Sequence, residues 1–285
     1  SSAGPFVFGP LYFWFNMVAL TLMPFSFKAP WILLNMISVL MVGVMVLVGY
    51  FVGGRKLSIV TGLFAAFSPQ FISRATGLSQ HAYVGIASSC LLLFFILFWK
   101  KRSLIYPFLM GISFGVALSM HYQALNFFVF APFLLFVPHL SMKRKIVAVF
   151  LYFVGFVIPS LPLLFWDSHQ QFANIRNVLD YILIGQYRIY VPNSWTIFLF
   201  NFLPDYWSNV VGGNKVVSGI IMVVTPITFI LMFAKRKIPG EILSLGIIFF
   251  ILLIFIRYYR GERFDGYMIY IAPLIFLLSA WALVN

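Results

Sequence analysis

The sequence predicts an all-α fold: a polytopic transmembrane helical bundle of about nine spans. Three observations carry that expectation. Of 285 residues, 62% are hydrophobic and only 9% are charged, whereas a water-facing domain needs roughly a quarter of its residues charged. The apolar stretches are continuous, as in WILLNMISVLMVGVMVLVGYFV from Trp31, and crossing a bilayer as a helix takes roughly 20 such residues. They do not alternate apolar with polar, which weighs against a transmembrane β-barrel.

The cations mark the boundaries. Arg55-Lys56, Lys100-Lys101-Arg102, Lys143-Arg144-Lys145 and Lys235-Arg236-Lys237 hold eleven of the nineteen Lys and Arg, in loops of a few residues. Short Lys/Arg-rich loops stay cytoplasmic during insertion. Spans are therefore expected near 29–52, 57–73, 82–99, 104–120, 123–138, 146–165, 216–234, 240–256 and 267–284. The net charge of +13 follows from this topology, so nucleic acid is not an expected partner.

One membrane domain, 1–285, is expected. Residues 1–28 form an outer segment, with Leu11 to Phe25 as a juxtamembrane helix. Six spans follow over 29–165. The long outer segment 166–215 carries Phe172, Ile175, Val178, Leu179 and Ile182 at helical spacing, which predicts an interfacial amphipathic helix. Trp195 to Trp207 is aromatic in the manner of interfacial segments. Three spans complete the chain over 216–285. Five of the six acids and three of the four histidines fall outside, away from the basic loops. The lone Cys90 excludes an intrachain disulfide, and Ser1-Ser2-Ala3-Gly4 shows no basic leader.

Several local patterns occur in order: Gly9-Pro10-Leu11-Tyr12-Phe13-Trp14-Phe15; Gly62 to Pro69 leading into Phe71-Ile72-Ser73-Arg74; Gly111 to Ala117 leading into His121-Tyr122-Gln123; Phe172-Ala173-Asn174-Ile175-Arg176; and Tyr267 to Pro273. The set resembles the GT-C class of membrane glycosyltransferases, in particular the dolichyl-phosphate-mannose protein mannosyltransferase-like group, which includes the aminoarabinose transferases of lipid A. The resemblance implies a polyprenyl-phosphate-linked sugar donor, a lipid, glycan or protein acceptor, and an integral, multi-pass protein of the bacterial cytoplasmic membrane whose active face is outside. It also implies an acidic base in the first outer loop. Residues 1–28 contain no Asp or Glu, so the catalytic base is expected upstream of Ser1 and this chain alone is expected to be inactive.

A site of this kind needs fixed cations at headgroup level for the departing phosphate, and the planar fork of arginine suits two phosphate oxygens. Arg74 matches the arginine of the family's second outer loop. Arg257, Arg260 and Arg263, flanked by tyrosines in the last outer loop, are the other expected phosphate ligands. Gln80, His81, His121, Gln123, Asp167 and His169 are candidates for sugar or acceptor contact. Asp167 and His169 form an Asp-x-His pair of a kind that moves protons or binds a divalent cation, but two residues are not a site, and no metal or other cofactor is assigned. The alternatives are a transporter or lipid flippase, or a non-catalytic membrane scaffold. Against transport, no Asp, Glu, Lys or Arg lies deep in an expected span.

Overall fold

A computed structural model of the chain describes residues 7, 9–184, 194–258 and 265–285. Every regular element among them is helical. Helix α1 (Leu11–Leu22) precedes α2 (Ala29–Ala66), which leaves helical geometry at Gly53 and Gly54. Gly54 has φ +71°, a conformation glycine adopts without steric cost. The chain reverses there: the Ser58 hydroxyl donates to the Val46 carbonyl at 2.8 Å, and a Cβ at Gly49 would lie 2.7 Å from the Ser58 Cα. The two arms of α2 are thus an antiparallel hairpin whose tip carries Arg55 and Lys56.

The second arm stops at Ala66, short of the expected 57–73. Ser68 stands before Pro69, where the helical region is disfavoured, and its hydroxyl accepts from the Phe71 amide at 3.4 Å. A new helix, α3 (Pro69–Thr76), starts at that cap and leads to α4 (Gln80–Lys101) and α5 (Ile105–Met120). The span expected at 123–138 is also different. It is wound mostly as 3-10 helix over Tyr122–Val129 and Leu134–Phe136, with one α turn, α6 (Phe130–Phe133), between. Pro132 has no N–H to offer the Phe128 carbonyl, and the Tyr152 hydroxyl takes the Phe127 carbonyl at 2.8 Å. The proline thus removes one bond of the α ladder, while the Phe127 carbonyl accepts from the Phe130 N–H as well as from Tyr152.

Helix α7 (Met142–His169) runs past the expected 146–165 at both ends and leads into the amphipathic α8 (Ala173–Leu183). Helix α9 (Ser194–Ile197), a π turn over Phe198–Phe202 and α10 (Leu203–Val211) follow in line. Helices α11 (Lys215–Ala234) and α12 (Gly240–Tyr258) precede a 3-10 stretch, Asp265–Ile271, and α13 (Ala272–Val284). By length and composition, α2, α4, α7 and α11 each suffice to cross a membrane, and shorter apolar helices accompany them.

The centre of the bundle is α13, whose residues from Ala272 to Ala282 are all buried. A helix that is apolar all round belongs inside, and Phe71 and Trp281 show how it is held: their rings lie 5.4 Å from Phe276 and 4.8 Å from Phe229. On α11, by contrast, Ile220, Ile227, Ile230 and Phe233 are exposed. Such a surface suits lipid rather than water.

Helices α5 and α7 make the tightest contact. Built at Gly111, a Cβ would overlap the Tyr152 carbonyl and lie 2.7 Å from the Phe156 nitrogen; at Gly115 it would overlap the Phe156 carbonyl. Contacts that advance together along both helices mean that the two run parallel. Small residues at such crossings let backbones approach within a membrane, where apolar side chains gain little from helix association itself.

Candidate active site

The two ends of the bundle differ in chemistry. At one end, Lys100 is ion-paired with Glu241 and Arg144 donates to the Arg102 carbonyl at 3.2 Å. At the other end meet α1, α3, α8, α10, the start of α4 and the end of α5. Tyr83 donates to Asn16 at 3.3 Å, and the Tyr206 hydroxyl lies 3.2 Å from Gln70 Oε1 and 2.8 Å from the Met268 carbonyl. These bonds tie α1 to α4, and α10 to α3 and to the Asp265–Ile271 stretch.

Two of the expected residues come together at this end. The rings of His81, in the first turn of α4, and His121, the C-cap of α5, lie 4.6 Å apart. The backbone N–H of Gln123 donates to His121 Nδ1 at 3.3 Å, so that nitrogen carries a lone pair and the proton of the neutral ring sits on Nε2. Burial, seconded by the charge His81 can carry, pushes His121 down from 6.5 to about 3. The charged form is disfavoured in the fold, so the associated stability is complete above pH 6.5 and is lost as pH falls toward 3. The unfolding temperature of the purified chain is therefore expected to drop between pH 7 and pH 4, and His121→Phe is expected to flatten the drop. An unchanged pH profile in that variant would assign the titration elsewhere.

Gln80 opens α4 half-buried, and Gln123 is half-buried beside His121. Arg74 lies in the last turn of α3, one helical turn beyond the buried Gln70, and is half-buried itself. Arg257 stands near the end of α12 with its side chain outside the described residues, and Arg260 and Arg263 also lie outside them.

The Asp-x-His expectation needs correction. Neighbours two apart on a helix do not share a face, and here Asp167 is 1% exposed whereas His169 faces out with Nδ1 2.9 Å from the Phe165 carbonyl. Both carboxylate oxygens of Asp167 are taken by backbone: Oδ1 accepts from Asn174 N–H at 2.8 Å and Oδ2 from Ile175 N–H at 3.0 Å. Asp167 thus caps the start of α8. The turn it closes holds Gln171 and Phe172 at φ +54° and +57°, a left-handed conformation that costs roughly 1–2 kcal/mol for each residue other than glycine. Among the described residues, no three of His, Cys, Asp and Glu converge as metal ligands would.

Asn174 and Tyr122, which are not among the expected site residues, join the same end of the bundle. The buried Asn174 carboxamide pairs with the Val7 backbone in both directions, accepting from its N–H at 2.9 Å and donating to its carbonyl at 3.3 Å. Its Nδ2 also reaches the Tyr122 hydroxyl at 2.6 Å, and that hydroxyl donates to the Val7 carbonyl. Burial pushes the Tyr122 phenol up, with the Asn174 hydrogen bond drawing it partly back. Their signal in the sequence is their place inside the 172–176 and 121–123 motifs. Gly9 completes the seat: a Cβ there would lie 2.7 Å from the Ser119 Cβ. The segment entering α1 is thus fixed against the turn that carries His121.

No family model and no curated protein matches the chain. Solved structures do. ArnT from Cupriavidus metallidurans bound to undecaprenyl phosphate superposes with a TM-score of 0.68 at 17% identity, over 98% of this chain and 50% of that one. Its apo state gives 0.67 at 16% identity, with the same coverage. The archaeal oligosaccharyltransferase AglB from Archaeoglobus fulgidus, in complex with an inhibitory peptide and a dolichol-phosphate, gives 0.58 at 15% identity, over 97% of this chain and 42% of that one. The chain spans about half the length of ArnT and less of AglB. The helices of this chain are arranged as in the matched parts of these two structures, and the chain shares their fold.

Proposed function

We propose that the chain belongs to a membrane glycosyltransferase that takes a sugar from a polyprenyl-phosphate donor and passes it to a lipid, glycan or protein acceptor at the outer membrane face. The observation that carries this reading is the shared fold with two proteins whose structures hold polyprenyl phosphates, undecaprenyl phosphate in ArnT and dolichol-phosphate in AglB. The end that gathers His81, His121 and Arg74 lies opposite the basic loops, which is the outer side if those loops are cytoplasmic.

The chemistry asks for division of labour. The polyprenyl chain dissolves among lipids beside the bundle, while its phosphate stops at headgroup level. As the acceptor oxygen bonds to the anomeric carbon, the carbon–oxygen bond to phosphate breaks and negative charge grows on the departing group. A guanidinium held in a partly dry site stabilises that charge better than water does, and Arg74 is our candidate. Neutral His121, with its proton on Nε2, suits donation to a sugar hydroxyl or phosphate oxygen. The catalytic base stays unassigned.

Purified chain in detergent is expected to bind undecaprenyl phosphate in preference to undecaprenol, read by native mass spectrometry. Arg74→Ala is expected to weaken binding roughly tenfold or more, since a hydrogen bond to a charged group contributes about 1.5–3 kcal/mol. Equal retention of alcohol and phosphate would sink the donor assignment; an unchanged affinity in the variant would remove Arg74 alone.

A further inference from the structure

The end of the bundle away from the histidine pair holds a charge imbalance that sugar transfer does not use. Lys100, Lys101 and Arg102 close α4, and Lys143, Arg144 and Lys145 fill the first turn of α7. Because α5 and α7 run parallel on their glycines, the turn before α5 lies against the start of α7. There Arg144 Nη2 donates to the Arg102 carbonyl at 3.2 Å. All six cations except Lys145 are exposed. No Asp or Glu precedes Asp167 in the sequence. Among the described residues, Glu241 supplies the acid at this end, and Lys100 already holds it.

Insertion requires cations at span ends, but it does not require two triplets to touch. Like charges in contact repel, and the first turn of α7 is also where the helix dipole favours anions. The apolar surroundings narrow the choice of anion. Met142 and Ile146 flank the α7 triplet, Ile105 follows the α4 triplet, and all three are exposed. A free anion has no use for such side chains, whereas acyl chains do. We infer that the α4–α5 turn and the first turn of α7 form a binding site for a membrane phospholipid carrying two phosphates. Lys101 and Arg102 face one phosphate, Lys143 and Arg144 face the other, and the acyl chains lie along Ile105, Met142 and Ile146.

The test uses the 285-residue chain in detergent, with diphosphatidylglycerol, phosphatidylcholine and inorganic phosphate as probes and native mass spectrometry as the readout. Diphosphatidylglycerol is expected to be retained over phosphatidylcholine. The double variant Lys101→Gln/Arg144→Gln is expected to lose roughly tenfold or more in apparent affinity, each cation near a headgroup contributing about a fivefold factor. Lys235→Gln/Arg236→Gln removes the same charge from another loop and is expected to stay within about twofold. Arg144→Lys keeps the charge and guards against a folding artefact; it is expected to retain binding. Equal losses in the two double variants would replace the site with a general basic belt. Equal retention of phosphatidylcholine, displacement by millimolar inorganic phosphate, or a collapse in Arg144→Lys would each overturn the proposal.

Discussion

Gly111→Ala is expected to destabilise the bundle by about 3 kcal/mol or more, at the top of the range for overpacking. The added methyl meets backbone on every side: it overlaps the Tyr152 carbonyl and lies 2.7 Å from the Phe156 nitrogen and 2.9 Å from the Gly155 Cα. A flexible side chain can swing away from a new methyl, but a helix backbone moves only as a body. Relief therefore means pushing α5 off α7, and Gly155 suffers the reciprocal overlap with the Phe108 carbonyl. In lipid this separation is costly, because close packing is itself what joins the helices. Gly219→Ala on α11 is the matched control, since nothing lies within 4 Å of a Cβ there; it is expected to be neutral or stabilising by up to about 1 kcal/mol through helix propensity alone. Thermal unfolding of both variants in one detergent decides the matter. Comparable unfolding temperatures would mean that the α5–α7 crossing is looser than its geometry states.

The glycines also show what a single sequence exposes and what it conceals. Their presence in the 111–117 motif was plain, yet periodicity places a residue on a face without naming the helix across from it. Fold class was legible because hydrophobicity and loop charge act over whole segments, and the resemblance to a glycosyltransferase class agrees with the fold. The break at Ser68-Pro69 was written in the sequence as a cap followed by proline, and run length concealed it. The 3-10 winding after His121 was not legible, because run length and hydrophobicity do not separate 3-10 from α, and the Tyr152 hydroxyl that meets this stretch lies 25 positions from the carbonyl it bonds. The His81–His121 pair joins residues 40 apart on two helices, each visible alone and neither pointing to the other. Asp167 was visible as a polar residue at a span end, where an acid suggests chemistry, and what separates a ligand-facing carboxylate from a cap is burial.

That distinction leads to a second large effect. Asp167→Ala is expected to cost about 3 kcal/mol, since it strands the buried amide of Asn174 and the partly buried amide of Ile175, which each gave a hydrogen bond to the carboxylate. The loss should spread along a defined route. With its N-terminus unfixed, α8 no longer holds Asn174 against Val7 and Tyr122, and the left-handed pair Gln171-Phe172 keeps only the backbone bond from Phe172 N–H to the carbonyl of residue 167. Amide exchange at Val7, Asn174 and Ile175 should accelerate together, ahead of the bundle interior. Asp167→Asn keeps one carbonyl acceptor but turns an NH2 toward a backbone N–H, and it should fall between the two. His169→Ala, at an exposed side chain two positions on, should lie within about 0.5 kcal/mol of the parent. If Asp167→Ala instead kept its unfolding temperature and exchange pattern while donor or acceptor binding was lost, the carboxylate would be acting on a ligand, and the cap would be incidental to its presence.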